Sequence, residues 1–230
     1  MNMKMLAVCD SPTMQTGFAR VAQNLLRRWA PHFERIDVWA IGYNGYPGKP
    51  GVESEWFQKP YRLYPANYNQ PWYDADRLQS LMNHIDQGDY THIWFLQDHF
   101  LLVRAGFCEA LREVCQKRQI KSYYYCPVDA QMEPEWAEIC LSVDYPVAYT
   151  DYGRMEIQRC ARSMVVPGGP MDNIRIIPHG VDTAVYRPLP DKQGLRKKLT
   201  GGWPAEDEPL LINVNTNQRR KDPIASLQIL

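Results

Sequence analysis

"MLAVCDSPTMQTGFARVAQNLLRRW", residues 5–29, contains the pattern that determines the fold. Its first five residues, Met5–Cys9, form a continuous apolar run, which is typical of a strand buried on both faces. Thr16 is a residue type that caps helix N-termini. The residues after it place apolar side chains at helical spacing, namely Phe18, Val21, Ala22, Leu25, Leu26 and Trp29. The stretch therefore predicts a buried strand, a polar loop and an amphipathic helix.

The same alternation continues along the chain. Further strands are predicted at 36–43, around Tyr61, and at 92–98, 121–128, 145–150 and 174–178. Helices are predicted at 74–86, 104–117 and 151–162, with another beginning at Pro134. Strands that alternate with helices indicate an α/β fold, a doubly wound, Rossmann-like parallel sheet.

The domain organisation follows from a change in composition after Pro190. Residues 1–190 are predicted to form the N-terminal Rossmann-like domain. Residues 191–209 are rich in Pro, Gly and charge, which predicts a linker with a short helix in its middle. Residues 210–230 begin a second strand-and-helix unit, which is too short to bury its own apolar faces. We therefore expect 210–230 to be the start of an incomplete second Rossmann-like domain.

Composition excludes several classes of protein. Lys+Arg and Asp+Glu both total 26, so a globally basic surface for nucleic acid is not expected. The six cysteines form no CxxC pair, which disfavours a metal cluster or disulfide framework and predicts reduced thiols in the core. No signal peptide and no run of about 18 apolar residues is present. These features predict a cytoplasmic protein.

Polar loops follow several predicted strands. In open α/β sheets, ligands bind in the crevice beyond the carboxyl ends of the strands. Polar or acidic residues occupy the corresponding positions here, at 10–17, 97–100, 127–130, 150–153 and 179–182. The pattern favours a shared ligand crevice, although Asp is also a common turn and cap residue.

Individual residues of these loops have two interpretations each. Gly17 would let a backbone N–H approach an anion at a helix N-terminus, or it is a turn glycine. Asp98 and His99 would form a pair, unless adjacent residues at a strand end point in opposite directions. Asp129 would act as a base or bind a sugar hydroxyl, or it is an ordinary loop acid. Asp151 is predicted to be a helix N-cap.

Two further segments suit ligands. A basic segment follows the strand predicted at 210–215 and contains Arg219, Arg220 and Lys221. It would either bind a diphosphate or form a solvated basic turn. The segment 44–74 is dense in Tyr and Trp, which suits stacking on a sugar ring or a base, or a long loop folded over the domain.

Four segments resemble a known family. IPHGVDTAVYRPLP, residues 177–190, resembles the "IPNGVDxxxFxP" segment of retaining GT-B glycosyltransferases of the group 1, or family four, type. TGFARVAQNLL at 16–26 resembles their first strand-to-helix loop, and YPVAYTDYGRMEI at 145–157 a later strand and helix. LLINVNTNQRRKDPIASLQIL at 210–230 resembles the opening of their second domain.

The resemblance implies a nucleotide-sugar donor, an acceptor bound by the N-terminal domain, and sugar transfer with retention. It implies no metal and no cofactor, since the nucleotide sugar is a co-substrate. The acceptor class stays open between a glycan, a lipid and a modified nucleic acid. Asp129 lies near the place where many members keep a catalytic-site His. The residues implied to bind donor or acceptor are Gly17, Asp98, His179, Gly180, Asp182, Arg220 and Lys221.

The sequence also departs from the family. Asn215 and Thr216 align with its Gly-Arg pair, and the chain ends before its Glu-x7-Glu segment. We therefore expect the 230-residue chain alone to be inactive, as the N-terminal portion of the enzyme. The alternative is a non-catalytic half-domain that binds a glycan, lipid or nucleic acid and needs a separate donor domain. A nucleotide-sugar epimerase is disfavoured because no GxGxxG loop follows the first strand.

Overall fold

The computed structural model describes residues 3–43, 49–50, 61–66, 71–104, 106–164, 174–202, 208–210 and 212. The chain divides into two compact units, Met1–His179 and Gly180–Leu230. The domain boundary predicted at residue 190 lies within the second unit.

The strands of the first unit alternate with helices. The strands are β1 (Lys4–Asp10), β2 (Arg35–Ile41), β3 (Lys49–Pro50), β4 (Tyr61–Pro65), β5 (His92–Leu96), β6 (Lys121–Cys126), β7 (Tyr145–Ala148) and β8 (Arg175–Ile176). The α-helices are α1 (Gly17–Trp29), α2 (Ala75–Gln87), α3 (His99–Leu102), α4 (Phe107–Arg118), α5 (Glu138–Ser142) and α6 (Asp151–Ser163). Short 3₁₀ helices cover Ala30–His32 and Pro134–Ala137.

The strands described form one sheet in the order β3-β4-β2-β1-β5-β6-β7-β8. Seven of them are parallel, and only β3 runs antiparallel to its neighbour β4. The prediction of a Rossmann-like α/β arrangement is confirmed. Because the strands are parallel, the carboxyl ends of β1, β5, β6, β7 and β8 lie along one edge of the sheet, which we call the carboxyl edge.

Apolar residues on both sides of β1 explain why this strand reads as a continuous hydrophobic run. Met5, Ala7 and Cys9 pack in a core cluster with α1 residues such as Leu26. Leu6 and Val8 face the other side and belong to the cluster that contains the apolar faces of α2 and α4. Burial on both faces is the environment expected for a central parallel strand. All six cysteines are free and buried, as predicted.

Two predicted helix starts have different outcomes. Thr16 caps α1 as predicted, since its hydroxyl oxygen accepts a hydrogen bond from the Ala19 N–H at 3.0 Å. The prediction that Asp151 is an N-cap is wrong: Thr150 is the cap, and it accepts a hydrogen bond from the Gly153 N–H at 3.0 Å. Asp151 is the first helical residue, where its negative charge still suits the helix dipole.

A charged network fixes the opposite, amino-terminal edge of the sheet. The buried Asp37 carboxylate accepts hydrogen bonds from Arg35 Nε at 3.0 Å and from the Tyr90 hydroxyl at 2.9 Å. Asp89 pairs with Lys4 Nζ at 2.6 Å and also with Arg35. The network ties β2 to the loop before β5, and thereby sets the relative position of two strands that flank β1.

The second unit is described only in part. A turn follows Asp182, and α7 (Lys192–Thr200) forms the short helix predicted in the linker. Asp191 caps this helix by accepting a hydrogen bond from the Gly194 N–H at 2.8 Å. The predicted strand at 210–215 lies largely outside the described residues. Within the parts of the chain that the structure covers, no helix is long and apolar enough to cross a membrane.

Candidate functional site

The site follows from the strand order of the sheet. The chain places β2 on one side of β1 and β5 on the other, so the order reverses between β1 and β5. In doubly wound sheets, such a reversal splays the two following loops apart and opens a crevice between them. The loops concerned are residues 11–16 after β1 and residues 97–98 after β5.

A hydrogen-bonded group joins these two loops. The Asp10 carboxylate accepts one hydrogen bond from the Thr16 hydroxyl at 2.5 Å and another from Gln97 Nε2 at 3.1 Å. The Gln97 side-chain oxygen accepts the Asp98 N–H at 2.9 Å, and its backbone oxygen accepts the Tyr124 hydroxyl at 2.9 Å. Asp10 and Gln97 are only 9% and 5% exposed. Hydrogen bonds between protein groups therefore hold the two loops together at this point of the sheet.

Gly17 begins α1 at the rim of this crevice and is exposed. A Cβ atom built at position 17 would meet no atom beyond its own chain neighbours within 4 Å, and its φ lies outside the left-handed region. Neither packing nor backbone conformation therefore requires a glycine here. The first N–H groups of a helix have no partner within the helix. Thr16 accepts the Ala19 N–H, so the N–H groups of Gly17 and Phe18 are still available to bind another acceptor. Open space and unused donors make Gly17 suitable for close contact with a ligand.

Asp98 is the N-cap of α3 and is half-buried at the carboxyl edge. Its charge reaches the neighbouring strands. Burial is the main cause that raises the pKa of Tyr149, and the Asp98 carboxylate contributes to the same shift. The Asp98 carboxylate therefore lies within electrostatic range of Tyr149, the residue that follows β7.

His99 is the first residue of α3 and is 8% exposed. Its ring packs against Trp136 with centroids 5.1 Å apart and against Phe100 at 5.8 Å. Burial lowers the pKa of His99 to about 4, although the charge of Asp129 opposes the shift. His99 is therefore neutral at neutral pH, and Asp129 lies within electrostatic reach of it.

Asp129 itself is exposed in the loop after β6. Its proximity to His99 joins a predicted catalytic position to a histidine that follows the adjacent strand β5. The predicted role of Asp129 as a base stays a prediction, because the same exposure also suits a carboxylate that accepts a hydrogen bond from a ligand hydroxyl.

His179 lies at the carboxyl end of the first unit, just beyond β8. Its ring centroid is 4.0 Å from that of Tyr149 and 5.4 Å from that of Tyr125. The Tyr125 hydroxyl donates to the Ile177 backbone oxygen at 2.8 Å, which fixes the chain just before the histidine. Burial lowers the pKa of His179. His179 is therefore held by the aromatic residues that end β6 and β7.

The remaining predicted site residues belong to the second unit. Gly180 is exposed, and a Cβ atom there would meet no neighbour within 4 Å. The Asp182 carboxylate accepts the Ala184 N–H at 3.0 Å, so it stabilises its own turn. Arg220 and Lys221 lie outside the described residues, and their predicted role in binding a diphosphate stays a prediction.

Among the residues that the structure describes, no group of three or more His, Cys, Asp or Glu side chains could hold a metal ion.

The sequence did not indicate every residue of this site. Asp10 and Gln97 are joined only because β1 and β5 are neighbours, and strand order is not visible in a hydrophobic pattern. The rule that side chains alternate along a strand does not apply to Asp98 and His99, because β5 ends at Leu96 and His99 begins a helix. Trp136 gave no signal, since it reads as part of an ordinary amphipathic helix.

Comparison with known proteins adds no family to this description. No protein-family model matches the chain, and no curated protein matches it significantly. The fold thus defines an α/β protein with a Rossmann-like sheet, in which buried polar side chains join the loops at the strand-order reversal.

Proposed function

We propose that this chain is the N-terminal portion of a retaining GT-B glycosyltransferase, which moves a sugar from a nucleotide-sugar donor to an acceptor hydroxyl. The observation that carries the proposal is Gly17, which begins a helix at the strand-order reversal with open space in front of it. Residues 16–26 and 177–190 resemble segments of this family, and the resemblance implies that Gly17 binds the donor or the acceptor.

The resemblance leaves two roles open for Gly17, contact with the donor and contact with the acceptor, and electrostatics favours the second. The N-terminus of a helix carries about half a positive unit charge. The Asp10 carboxylate is bonded to the N-cap Thr16, and it brings a full negative charge to the same turn. An anionic diphosphate gains little at such a turn, whereas a neutral hydroxyl can still hydrogen-bond to an N–H group. Gly17 therefore contacts the acceptor or the neutral sugar rather than the donor phosphates.

The other residues contribute by position. His99 is neutral and can hydrogen-bond to a hydroxyl at the carboxyl edge. Asp129 offers a carboxylate beside it, which would accept a proton or a hydrogen bond from the acceptor. Orienting the acceptor in a fixed crevice lowers the entropic part of the barrier. Contacts to the leaving diphosphate are expected from Arg220 and Lys221, which match the phosphate-binding segment of the family.

Transfer by the protein purified from its native source, at its native length, tests this proposal. The protein would be incubated with radiolabelled UDP-, GDP-, ADP-, dTDP- and CMP-sugars, together with glycan, lipid and DNA acceptors. We expect transfer with at least one donor, and an anomeric configuration in the product, measured by NMR coupling constants, that matches the donor. Neither transfer nor donor hydrolysis with any of these nucleotide sugars would contradict the proposal.

A further inference from the structure

The carboxyl edge carries an aromatic surface beside the crevice. Phe100 and Trp136 have ring centroids 5.7 Å apart, and His99 contacts both rings. Phe100 is 38% exposed although it is a large apolar residue, and Trp136 is half-buried. We call these three residues the aromatic shelf. Exposed aromatic rings beside a few convergent polar groups are the common composition of small-ligand sites.

His99 is an unsatisfied polar group within this shelf. It makes no hydrogen bond within the described part of the chain, and its Nδ1 atom is sealed from solvent. A buried N–H without a partner is rarer and more costly than a buried acceptor without one. We therefore place the hydrogen of the neutral imidazole on Nε2 rather than on the buried Nδ1 atom. In this tautomer His99 is a hydrogen-bond donor to a ligand oxygen.

The charges around the shelf restrict the ligand. The loops 10–17, 97–103 and 127–135 contain five acidic residues, Asp10, Asp98, Asp129, Glu133 and Glu135. Two arginines contact these loops: Arg104 donates to the Phe100 backbone oxygen at 3.3 Å, and Arg159 donates to the Met132 backbone oxygen at 2.7 Å. Both are also engaged elsewhere, Arg104 over the Tyr73 ring and Arg159 with Glu156. Phosphate-rich ligands such as nucleic acids are held chiefly by Lys and Arg. Carboxylates instead accept hydrogen bonds from hydroxyl groups. Acidic residues thus outnumber arginines around the shelf, which favours a neutral molecule with many hydroxyls over an anionic ligand.

We propose that the aromatic shelf binds a neutral saccharide, whose apolar ring face packs on Phe100 and Trp136 while one of its oxygens accepts a hydrogen bond from His99. A saccharide matches this surface because it combines an apolar C–H face with hydroxyls at its rim. The inference rests on the proposed function in one respect, since it identifies the acceptor of the transfer as a neutral glycan.

Equilibrium binding to the full 230-residue chain tests the inference without any donor. Saturation-transfer-difference NMR would be recorded with maltose, cellobiose, lactose, mannobiose and N,N′-diacetylchitobiose. A single-stranded DNA oligonucleotide and phosphatidylglycerol vesicles serve as anionic probes. We expect saturation of the ring C–H protons of at least one disaccharide. Absence of binding by every disaccharide, or binding of only the DNA or the vesicles, would overturn the inference.

Variants locate the binding at the shelf. Phe100→Ala should weaken the disaccharide by about fivefold, from lost apolar contact. His99→Phe should weaken it by about tenfold, whereas His99→Gln, which keeps an N–H donor, should stay within about threefold. Tyr145→Ala is the matched control, because Tyr145 is 45% exposed but begins β7 at the opposite edge. Circular dichroism melting confirms that each variant is folded. Equal weakening by all four substitutions, or by none, would refute a site at the shelf.

The two proposals fail separately. If a saccharide binds the shelf but the protein has no transferase activity, the saccharide site is supported and the glycosyltransferase proposal is refuted. If the protein transfers sugar to a lipid or DNA acceptor and no saccharide binds the shelf, the glycosyltransferase proposal is supported and the saccharide site is refuted.

Discussion

Replacing Thr16 should affect the stability of the fold through two separate hydrogen bonds. In Thr16→Val the Ala19 N–H loses its cap, which costs about 1 kcal/mol. The Asp10 carboxylate also loses the hydroxyl that donates to it at 2.5 Å, and a hydrogen bond to a charged group is worth about 1.5–3 kcal/mol. The free energy of unfolding should therefore fall by about 2–4 kcal/mol. Thr16→Ser keeps both bonds and should change it by less than about 0.5 kcal/mol.

Urea unfolding, followed by circular dichroism at constant pH, measures these differences. A double-mutant cycle with Asp10→Ala, which removes the acceptor, separates the two bonds, because the cap does not depend on Asp10 whereas the hydroxyl-to-carboxylate bond does. We expect a coupling energy above about 0.5 kcal/mol between positions 10 and 16. Equal effects of the Ser and Val substitutions, or strict additivity in the cycle, would refute these hydrogen bonds.

Three further predictions concern the core and the amino-terminal edge. Burial raises the pKa values of Cys108 and Cys115 to about 12, so their thiols should not react with Ellman's reagent at pH 7.5 until the protein unfolds; fast reaction of the native protein would contradict their burial. Tyr90→Phe removes a hydrogen bond at 2.9 Å to the buried Asp37 and should lower the free energy of unfolding by about 1.5–3 kcal/mol; a loss below about 0.5 kcal/mol in urea unfolding would show that the bond is unimportant. Hydrogen bonds from Lys4, and then from Arg35, lower the pKa of Asp89 from 3.8 to about 2. The ionised Asp89 carboxylate therefore stabilises the fold above pH 3.8, and this stabilisation is lost as the pH falls towards 2. Asp89→Asn should therefore weaken the pH dependence of the free energy of unfolding between pH 4 and 2. An unchanged pH dependence in this range would contradict the pairing of Asp89 with Lys4 and Arg35.

The hydrophobic pattern was sufficient for the elements and the fold class. The runs at Met5–Cys9 and at 93–96 are apolar throughout because both faces of these strands are buried. The apolar residues of α2 recur at helical spacing and are buried in the structure, namely Leu78, Leu81, Met82 and Ile85. These signals are local, so a sequence alone reveals them.

The site depends on relations that are not local. The bond between Asp10 and Gln97 spans two strands that are far apart in sequence and adjacent in the sheet. The cap of α6 was assigned one residue too late because Thr150 and Asp151 are both good capping residues. The shelf required the loop after β6 to bring Trp136 to His99, and no spacing rule predicts that contact.

Gly17→Ala tests the central claim, that the crevice at the strand-order reversal is where the acceptor binds. The added methyl meets no other residue, and alanine favours a helix, so the free energy of unfolding should stay equal or rise by up to about 1 kcal/mol. Gln116→Ala on the exposed face of α4 is the control, because it places an alanine in a helix away from the carboxyl edge.

The decisive quantity is kcat/KM for the acceptor, measured with the native-length enzyme and the donor that supports transfer. We expect Gly17→Ala to lower it by about tenfold or more, because the methyl displaces a ligand that contacts the backbone N–H, while Gln116→Ala leaves it unchanged. An unchanged kcat/KM in a stably folded Gly17→Ala protein would mean that Gly17 is only a turn residue and that the acceptor binds elsewhere.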